Sequence, residues 1–589
     1  MTPRQFVLGV VAVIAVTMAL YAPTIGHEFL MDDPTYIVEN PAVTEGAPFT
    51  AYLFDRNATA SRSDFRWQSY RPVRTLAFRA LVVIGGGLRT APFNIANLVL
   101  YALSIALMAL LMLRLSGDRA AVLAATALWA LMPVHVEPVV YASALGDHLS
   151  LVFQLLAFFA AARAVPAKRA WLGWLLVSLA FALLAMGAKE MAVTEGGILA
   201  LAAACAWRGL TPTLRRRAVV LVAAHGAATL GFLVLRTRVI GAVGQGAITA
   251  LTAQVASRAI PLYLWKYALV IVAPLGHAAA YAAVPLKRGP AALAWLGVLV
   301  VVVALWRLRR PTLTFAFGWF ALSLLPVLHV VPLLAYYADR FAYVPSIGLA
   351  LAIGHGLAAP KGRMRRMALA SAVVLAFVYA AGVLVESRAW RSDATLWRFA
   401  ADAQPDAALA HSNLAIQLLH EGAPAEALVH LEEVRRISGA GPATLMQMAV
   451  ADDMLGRDAE AERALHLLMT QSTELPDSHA LLASLLVKRG AFTEAEPEVA
   501  TALRMSPELP SAWMAQGQLA EARGQMAEAL AAYRHAVARS PSARYHLRYG
   551  EAALHFGDRA TAATEARACL ARQPERPDCQ ALLAKATAP

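Results

Sequence analysis

A chain of 589 residues has room for several domains. Its hydrophobic content of 59% and charged content of 15% exclude an ordinary soluble protein for the first part of the chain. The net charge of +13 is unevenly spread: residues 1–385 hold 32 Lys+Arg against 13 Asp+Glu, and residues 386–589 hold 20 against 26. The basic excess therefore flanks apolar segments, where it acts as a topology signal, and argues against a nucleic-acid partner.

A membrane-spanning helix needs about 20 apolar residues. Spans are predicted near 6–22, 93–113, 119–133, 144–162, 171–187, 193–207, 218–235, 290–306, 312–328, 344–359 and 367–385. The first lacks a small-residue cleavage site and is read as retained. Basic connectors (Arg114 and Arg119; Arg163, Lys168 and Arg169; Arg208 with Arg215, Arg216 and Arg217; Arg307, Arg309 and Arg310; Lys361, Arg363, Arg365 and Arg366) then fall on the side of the N-terminus. The positive-inside rule makes that side cytoplasmic. Segment 258–274 is also apolar, but counting it as a span would place the Arg307 cluster outside, so it is read as re-entrant or interfacial. The expectation is an all-α chain: about eleven spans over 1–385, a connector at 386–404 and a soluble C-terminal region on the exterior side.

Three exterior stretches carry candidate chemistry. The first, 23–92, contains FLMDDPTYIVENPAV, whose adjacent Asp32 and Asp33 can supply a general base or hold a metal, or simply cap a helix and solvate a loop. The second, MPVHVEPVVYASALGDHLS, carries His135, Glu137 and Asp147; its spacing matches no standard zinc site, and the first two read as a hydrogen-bonded pair. The third, GAKEMAVTEGG, brings Lys189 and Glu190 to the outer face, where they can form an ion pair. Arg236 and Arg238 after the seventh span, and Asp339-Arg340 before the tenth, place arginines where they can converge on a lipid phosphate or meet headgroups.

From about residue 405 a new period begins. Gly422, Gly456, Gly490, Gly524 and Gly557 recur at spacings of 34, 34, 34 and 33. Each is followed five residues later by alanine (Ala427, Ala461, Ala495, Ala529, Ala562) and preceded at seven by Ala415, Ala449, Ala483, Gly517 or Gly550. A helix–turn–helix unit of about 34 residues with small residues at the helix contacts is the tetratricopeptide (TPR) pattern, so 405–589 reads as a solenoid of about five repeats with a capping helix. Pro507, Pro541 and Pro574 close the last three units. Cys569 in the fifth repeat and Cys579 in the cap are disulfide candidates if the tail lies in an oxidising compartment.

The ordered stretches MDDPTYIVENPAV, SYRPVRTLAFR, FNIANLVLYAL, MPVHVEPVVYASALGDHL, AKEMAVTEGG, RTRVIG and DRFAYVPSIG, followed by RSDATLWRFAADAQPDAALAHSNLA, resemble the family of transmembrane-and-TPR protein O-mannosyltransferases and their bacterial relatives, within the GT-C fold. The resemblance covers nearly the whole chain. It implies inverting transfer of a sugar, mannose or another hexose, from a polyprenyl-phosphate donor to Ser/Thr hydroxyls of exported proteins bound through the TPRs. It puts the catalytic acid at Asp32-Asp33, and Lys189, Arg236, Arg238 and Arg340 on the donor phosphate. Arg71, His135, Glu137, Asp147, Glu190 and Asp339 support the site. Where relatives carry Glu-Arg, this chain has Asp339-Arg340, and the Gly-x-x-Asp motif is shortened to Gly146-Asp147. No cofactor is implied with certainty, and a divalent cation stays open. The implied location is a bacterial inner membrane, with the N-terminus cytoplasmic and the TPRs periplasmic. A membrane-anchored TPR scaffold for envelope assembly and a transferase acting on glycolipid or polysaccharide are the alternatives.

Overall fold

The computed structural model describes residues 1–59, 69–241, 253–328, 337–472, 475–573 and 575–588, and among these every regular element is a helix. The chain divides into two compact units, Met1–Ala410 and His411–Pro589.

The first unit is a bundle of apolar helices. In chain order they are α1 (Pro3–Tyr21), α2 (Pro72–Ile84), α3 (Thr90–Ser116), α4 (Arg119–Leu131), α5 (Leu145–Ala164), α6 (Trp171–Ala188) and α7 (Glu195–Ala206). There follow α8 (Pro212–Ile240), α9 (Ala253–Val272), α10 (Arg288–Leu308), α11 (Pro311–Leu324), α12 (Ser346–Ala358) and α13 (Gly362–Ala389). Local sequence sets their limits. Thr2 closes a capping box with Gln5 ahead of Pro3, and Gly117 stops α3 in a left-handed conformation at φ 71°. Asp118 caps α4 by accepting from the N–H groups of Ala120 and Ala121.

Among the described residues nine helices are long and apolar enough to cross a membrane; 119–140, bent by 56°, makes a tenth, and Pro311–Val327 and Ser346–Ala358 are shorter apolar helices. Side-chain contacts sort the helix ends into two sets. At one end the Arg365 guanidinium pairs with Asp118 at 2.7 Å, Arg217 donates to the Val165 carbonyl at 3.3 Å, Arg215 donates to the Trp207 carbonyl at 3.2 Å, and Arg208 and Arg309 line one crevice. At the other end Asn94 donates to the Thr24 carbonyl at 3.0 Å, and the Met31 N–H donates to Asp393 at 3.1 Å. The Tyr379 hydroxyl, in the middle of α13, donates to the Val272 carbonyl at 2.7 Å.

α9 differs from the rest. Segment Val255–Val272 satisfies the length and hydropathy of a span. From the sequence it stands apart as re-entrant or interfacial; in the structure it packs on α10, where Trp295 Nε1 donates to the Ser257 carbonyl at 2.8 Å and Trp265 Nε1 to the Ala294 carbonyl at 3.0 Å. Eleven spans were expected without α9; among the described residues the helices that meet the length and hydropathy of a span number nine, α9 included. α11 and α12 touch closely because position 348 is glycine: a Cβ there would run into the Ala316 carbonyl and stand 2.7 Å from the Phe320 nitrogen.

The stretch 386–404, expected as a connector, is helical: α13 continues to Ala389 and a further helix spans Asp393–Ala403, capped by Ser392.

The second unit is a stack of helix pairs, ending in the single helix Pro577–Thr587. Gly422, Gly456, Gly490, Gly524 and Gly557 all have positive φ, between 70° and 85°, at the turn inside each pair. Ala427, Ala461, Ala495, Ala529 and Ala562 are fully buried where paired helices touch. At Gly517 a Cβ would stand 2.6 Å from the Tyr533 ring, so the period needs glycine there. Neighbouring pairs are stitched by repeated ion pairs at one sequence separation, 27: Arg489–Glu462 at 2.9 Å, Arg523–Glu496 at 2.7 Å and Arg548–Glu521 at 2.7 Å. Cys569 and Cys579 are joined by a disulfide, with Cα atoms 6.1 Å apart. Pro574, expected to close the fifth unit, lies outside the described residues.

Candidate active site

The acid pair divides its work. Asp33 is 1% exposed. Its two oxygens accept from the Leu30 N–H at 3.0 Å and the Ser143 N–H at 2.8 Å. Burial pushes its carboxyl up to about 7, against the pull of those two N–H groups. Asp33 thus pins the first loop to the 142–144 turn. Asp32 is exposed. Its backbone N–H donates to the Tyr141 hydroxyl at 3.1 Å, and among the described residues its carboxylate makes no hydrogen bond or ion pair.

Around this pair the basic residues reach carboxylates far away in sequence. Arg71 forms a two-pronged bond with Glu190, 2.7 Å on each prong, held in place because Pro72 starts α2 directly after it. Burial alone would lower the Arg71 pKa, but Glu190 outweighs it and the guanidinium is raised. Lys189 pairs with Asp147. The Arg340 backbone N–H donates to Glu137 at 2.9 Å and its guanidinium bonds the other oxygen. Burial acts to lower the Arg340 pKa; Glu137, Tyr141 and Asp32 together raise it, so Arg340 lies within the field of the exposed acid. Asp339 accepts from the His277 ring at 2.8 Å and from the Tyr281 hydroxyl at 2.7 Å. Burial opposes charge on His277, but Asp339 overcomes it and raises the ring to about 9.

Several sequence expectations need correction. His135 and Glu137 do not bond each other: the His135 ring meets the Tyr101 hydroxyl at 2.9 Å and the Ser346 hydroxyl at 3.0 Å. In the helical turn after Pro133 their side chains leave in different directions, since residues two apart on a helix do not share a face. The stretch 133–148 is helical rather than a loop, and Asp147 sits in the first turn of α5. Lys189 and Glu190 likewise take separate partners. Arg236 is buried near the C-terminus of α8 and acts on Glu190. Arg238, two residues on, is exposed, and among the described residues no contact brings it to the acid pair.

The structure adds participants that sequence reasoning missed. Tyr141 and Ser143 hold the acid loop, and Asp393 anchors it at Met31. His277 sits in a run of small residues that gave no signal, and Arg74 was visible inside the quoted SYRPVRTLAFR stretch without a reason to choose it. Among the described residues no group of three or more His, Cys, Asp or Glu is set to hold a metal ion. Chemically, the arrangement offers an exposed carboxylate at the rim with a bank of buried, mostly matched cations beside it. That suits removal of a proton next to a departing anion.

Comparison with known proteins adds to this geometry. The family described as Tetratricopeptide repeat matches residues 481–544 and 524–577. The protein O-mannosyl-transferase Tmtc1 of Drosophila melanogaster is 32% identical over 196 residues, covering 32% of this chain and 21% of that protein. The human protein O-mannosyl-transferase TMTC4 is 24% identical over 486 residues, covering 71% of this chain and 64% of that protein. This chain thus spans less than two thirds of the length of these curated relatives. A solved thermophilic TPR protein of Thermus thermophilus is similar to 31% of the chain, with 19% identity and a TM-score of 0.29. With its long apolar helices and its repeats, the chain is similar to proteins named as protein O-mannosyl-transferases.

Proposed function

We propose that this chain is an inverting glycosyltransferase. It moves a sugar, mannose or another hexose, from a polyprenyl-phosphate donor to a Ser/Thr hydroxyl of an exported protein. The observation that carries the reading is the exposed Asp32 carboxylate, which makes no hydrogen bond or ion pair among the described residues and is held on a clamped loop beside buried cations. The acceptor oxygen attacks the anomeric carbon and gives its proton to Asp32, while the bond from that carbon to the phosphate oxygen breaks on the opposite face. Lys189, Arg236 and Arg340 flank the leaving phosphate as fixed N–H donors, held in place by their own partners; Arg238 is exposed enough to meet the headgroup region.

The site end is assigned to the periplasmic side of a bacterial inner membrane. Arg208, Arg215, Arg309 and Arg365 gather at the opposite end, which the positive-inside rule makes cytoplasmic. A disulfide in the repeats fits an oxidising compartment. The repeats present the protein acceptor.

Two measurements test this together. Alkaline phosphatase fused after residue 400 is expected to be active, and fusions near Arg216 and Arg365 inactive; an inactive fusion after 400 removes the periplasmic assignment. The purified full chain is expected to transfer label from a polyprenyl-phosphate hexose to protein in a periplasmic extract. Label appearing only in lipid or polysaccharide would refute the protein acceptor.

A further inference from the structure

Arg74 stands in the first turn of α2 and is 2% exposed. Buried arginines are ordinarily paired with a carboxylate, because an uncompensated buried charge is costly. Arg71, Lys189 and Arg340 obey that rule through Glu190, Asp147 and Glu137. Arg74 does not. Its one hydrogen bond among the described residues runs from Nη2 to the Ser69 hydroxyl at a long 3.4 Å, and its buried Nε has none. The guanidinium lies over the Tyr36 ring, 4.4 Å from its centroid, with the Phe78 ring at 5.3 Å. Room for it comes from Gly146, where a Cβ would stand 3.0 Å from Arg74 Cδ. The same glycine adjoins Asp147, the partner of Lys189, so Arg74 belongs to the same bank of charge. Burial, and then the nearby Arg71, lower its pKa to about 10, which leaves it a cation at neutral pH.

We propose that Arg74 binds the phosphate of the departing polyprenyl phosphate and supplies the positive charge its second negative charge requires. This rests on the donor chemistry proposed above. In the donor the phosphate is a diester with one negative charge. When the bond from the anomeric carbon to the phosphate oxygen breaks, its electron pair stays on that oxygen and the acceptor's proton goes to Asp32. The phosphate therefore leaves as a monoester and gains charge during the step. The cations already matched by carboxylates contribute little net charge to it. Arg74 contributes a whole one, through a planar fork suited to two phosphate oxygens.

The test compares the purified full chain with Arg74→Gln and Arg74→Lys. It reads binding of polyprenyl phosphate, binding of a polyprenyl-phosphate hexose, turnover and thermal midpoint. Arg74→Gln is expected to weaken polyprenyl phosphate binding and lower turnover by about 100-fold, the scale of one lost charge-stabilising donor. Affinity for the hexose diester should change much less, and Arg74→Lys should recover part of the monoester affinity. An unchanged ratio of the two affinities in Arg74→Gln overturns the assignment, whether or not the thermal midpoint falls, because a packing role moves both lipids alike. If the parent chain binds neither lipid, the donor chemistry fails and this assignment fails with it. If the parent binds both and Arg74→Gln matches it, only Arg74 loses its role.

Discussion

Asp32→Asn is expected to leave the fold intact and cut sugar transfer by about 10²–10⁴-fold, the range for loss of a general base. The carboxylate is exposed and makes no bond among the described residues, so its removal leaves nothing unsatisfied. Asp33→Asn should behave differently. An amide retains one acceptor oxygen where the carboxylate uses two, so one of the Leu30 and Ser143 N–H groups loses its partner. That costs about 1–3 kcal/mol, and the loop that carries Asp32 loosens with it. Thermal melts beside transfer rates separate the two. Full turnover in Asp32→Asn at normal stability would remove the base from this residue.

Arg340→Ala is expected to be the most damaging single change for stability. It strips the guanidinium from Glu137, whose side chain is 1% exposed, and a buried charge left without its partner costs about 3–5 kcal/mol. Adding Glu137→Gln should return much of that stability, because a neutral amide needs no counterion. Activity should stay low in the double variant, since Arg340 also acts on Asp32. Melting temperatures of the two singles and the double form the cycle. Additive losses would show that the pair is not coupled.

The repeats were legible because each structural need falls on one residue at a fixed period. A turn at positive φ wants glycine, a helix contact wants alanine, and a 34-residue count exposes both. The site was legible only as a set of residues. Asp32 and Asp33 look alike in sequence, and only the position of the Ser143 N–H, 110 residues away, decides that one is a clamp and the other free. Glu137 was read with His135, two residues away, but its partner Arg340 lies 203 residues on. Adjacent charges suggest pairs by nearness along the chain, whereas a bundle that brings many helix ends together chooses them by nearness in space. α9 shows the same limit at larger scale: its composition fits a span, and it was set aside only because counting it would move the Arg307 cluster to the other side.

The bond between Cys569 and Cys579 has a consequence for how the second unit loses order. A linear stack held by nearest-neighbour contacts can lose order helix by helix, and Pro577–Thr587 packs on the two helices before it. The tie to Cys569 makes that last helix inseparable from the one before it, so opening must lift two helices at once. Amide exchange in Pro577–Thr587 should therefore be slow in the oxidised protein and quicken sharply on reduction, with the interior pairs unaffected. Equal exchange in both redox states would mean that packing alone fastens the end. Otherwise the disulfide is a latch between two neighbouring rungs of the ladder, and the redox state of its surroundings sets how readily they part.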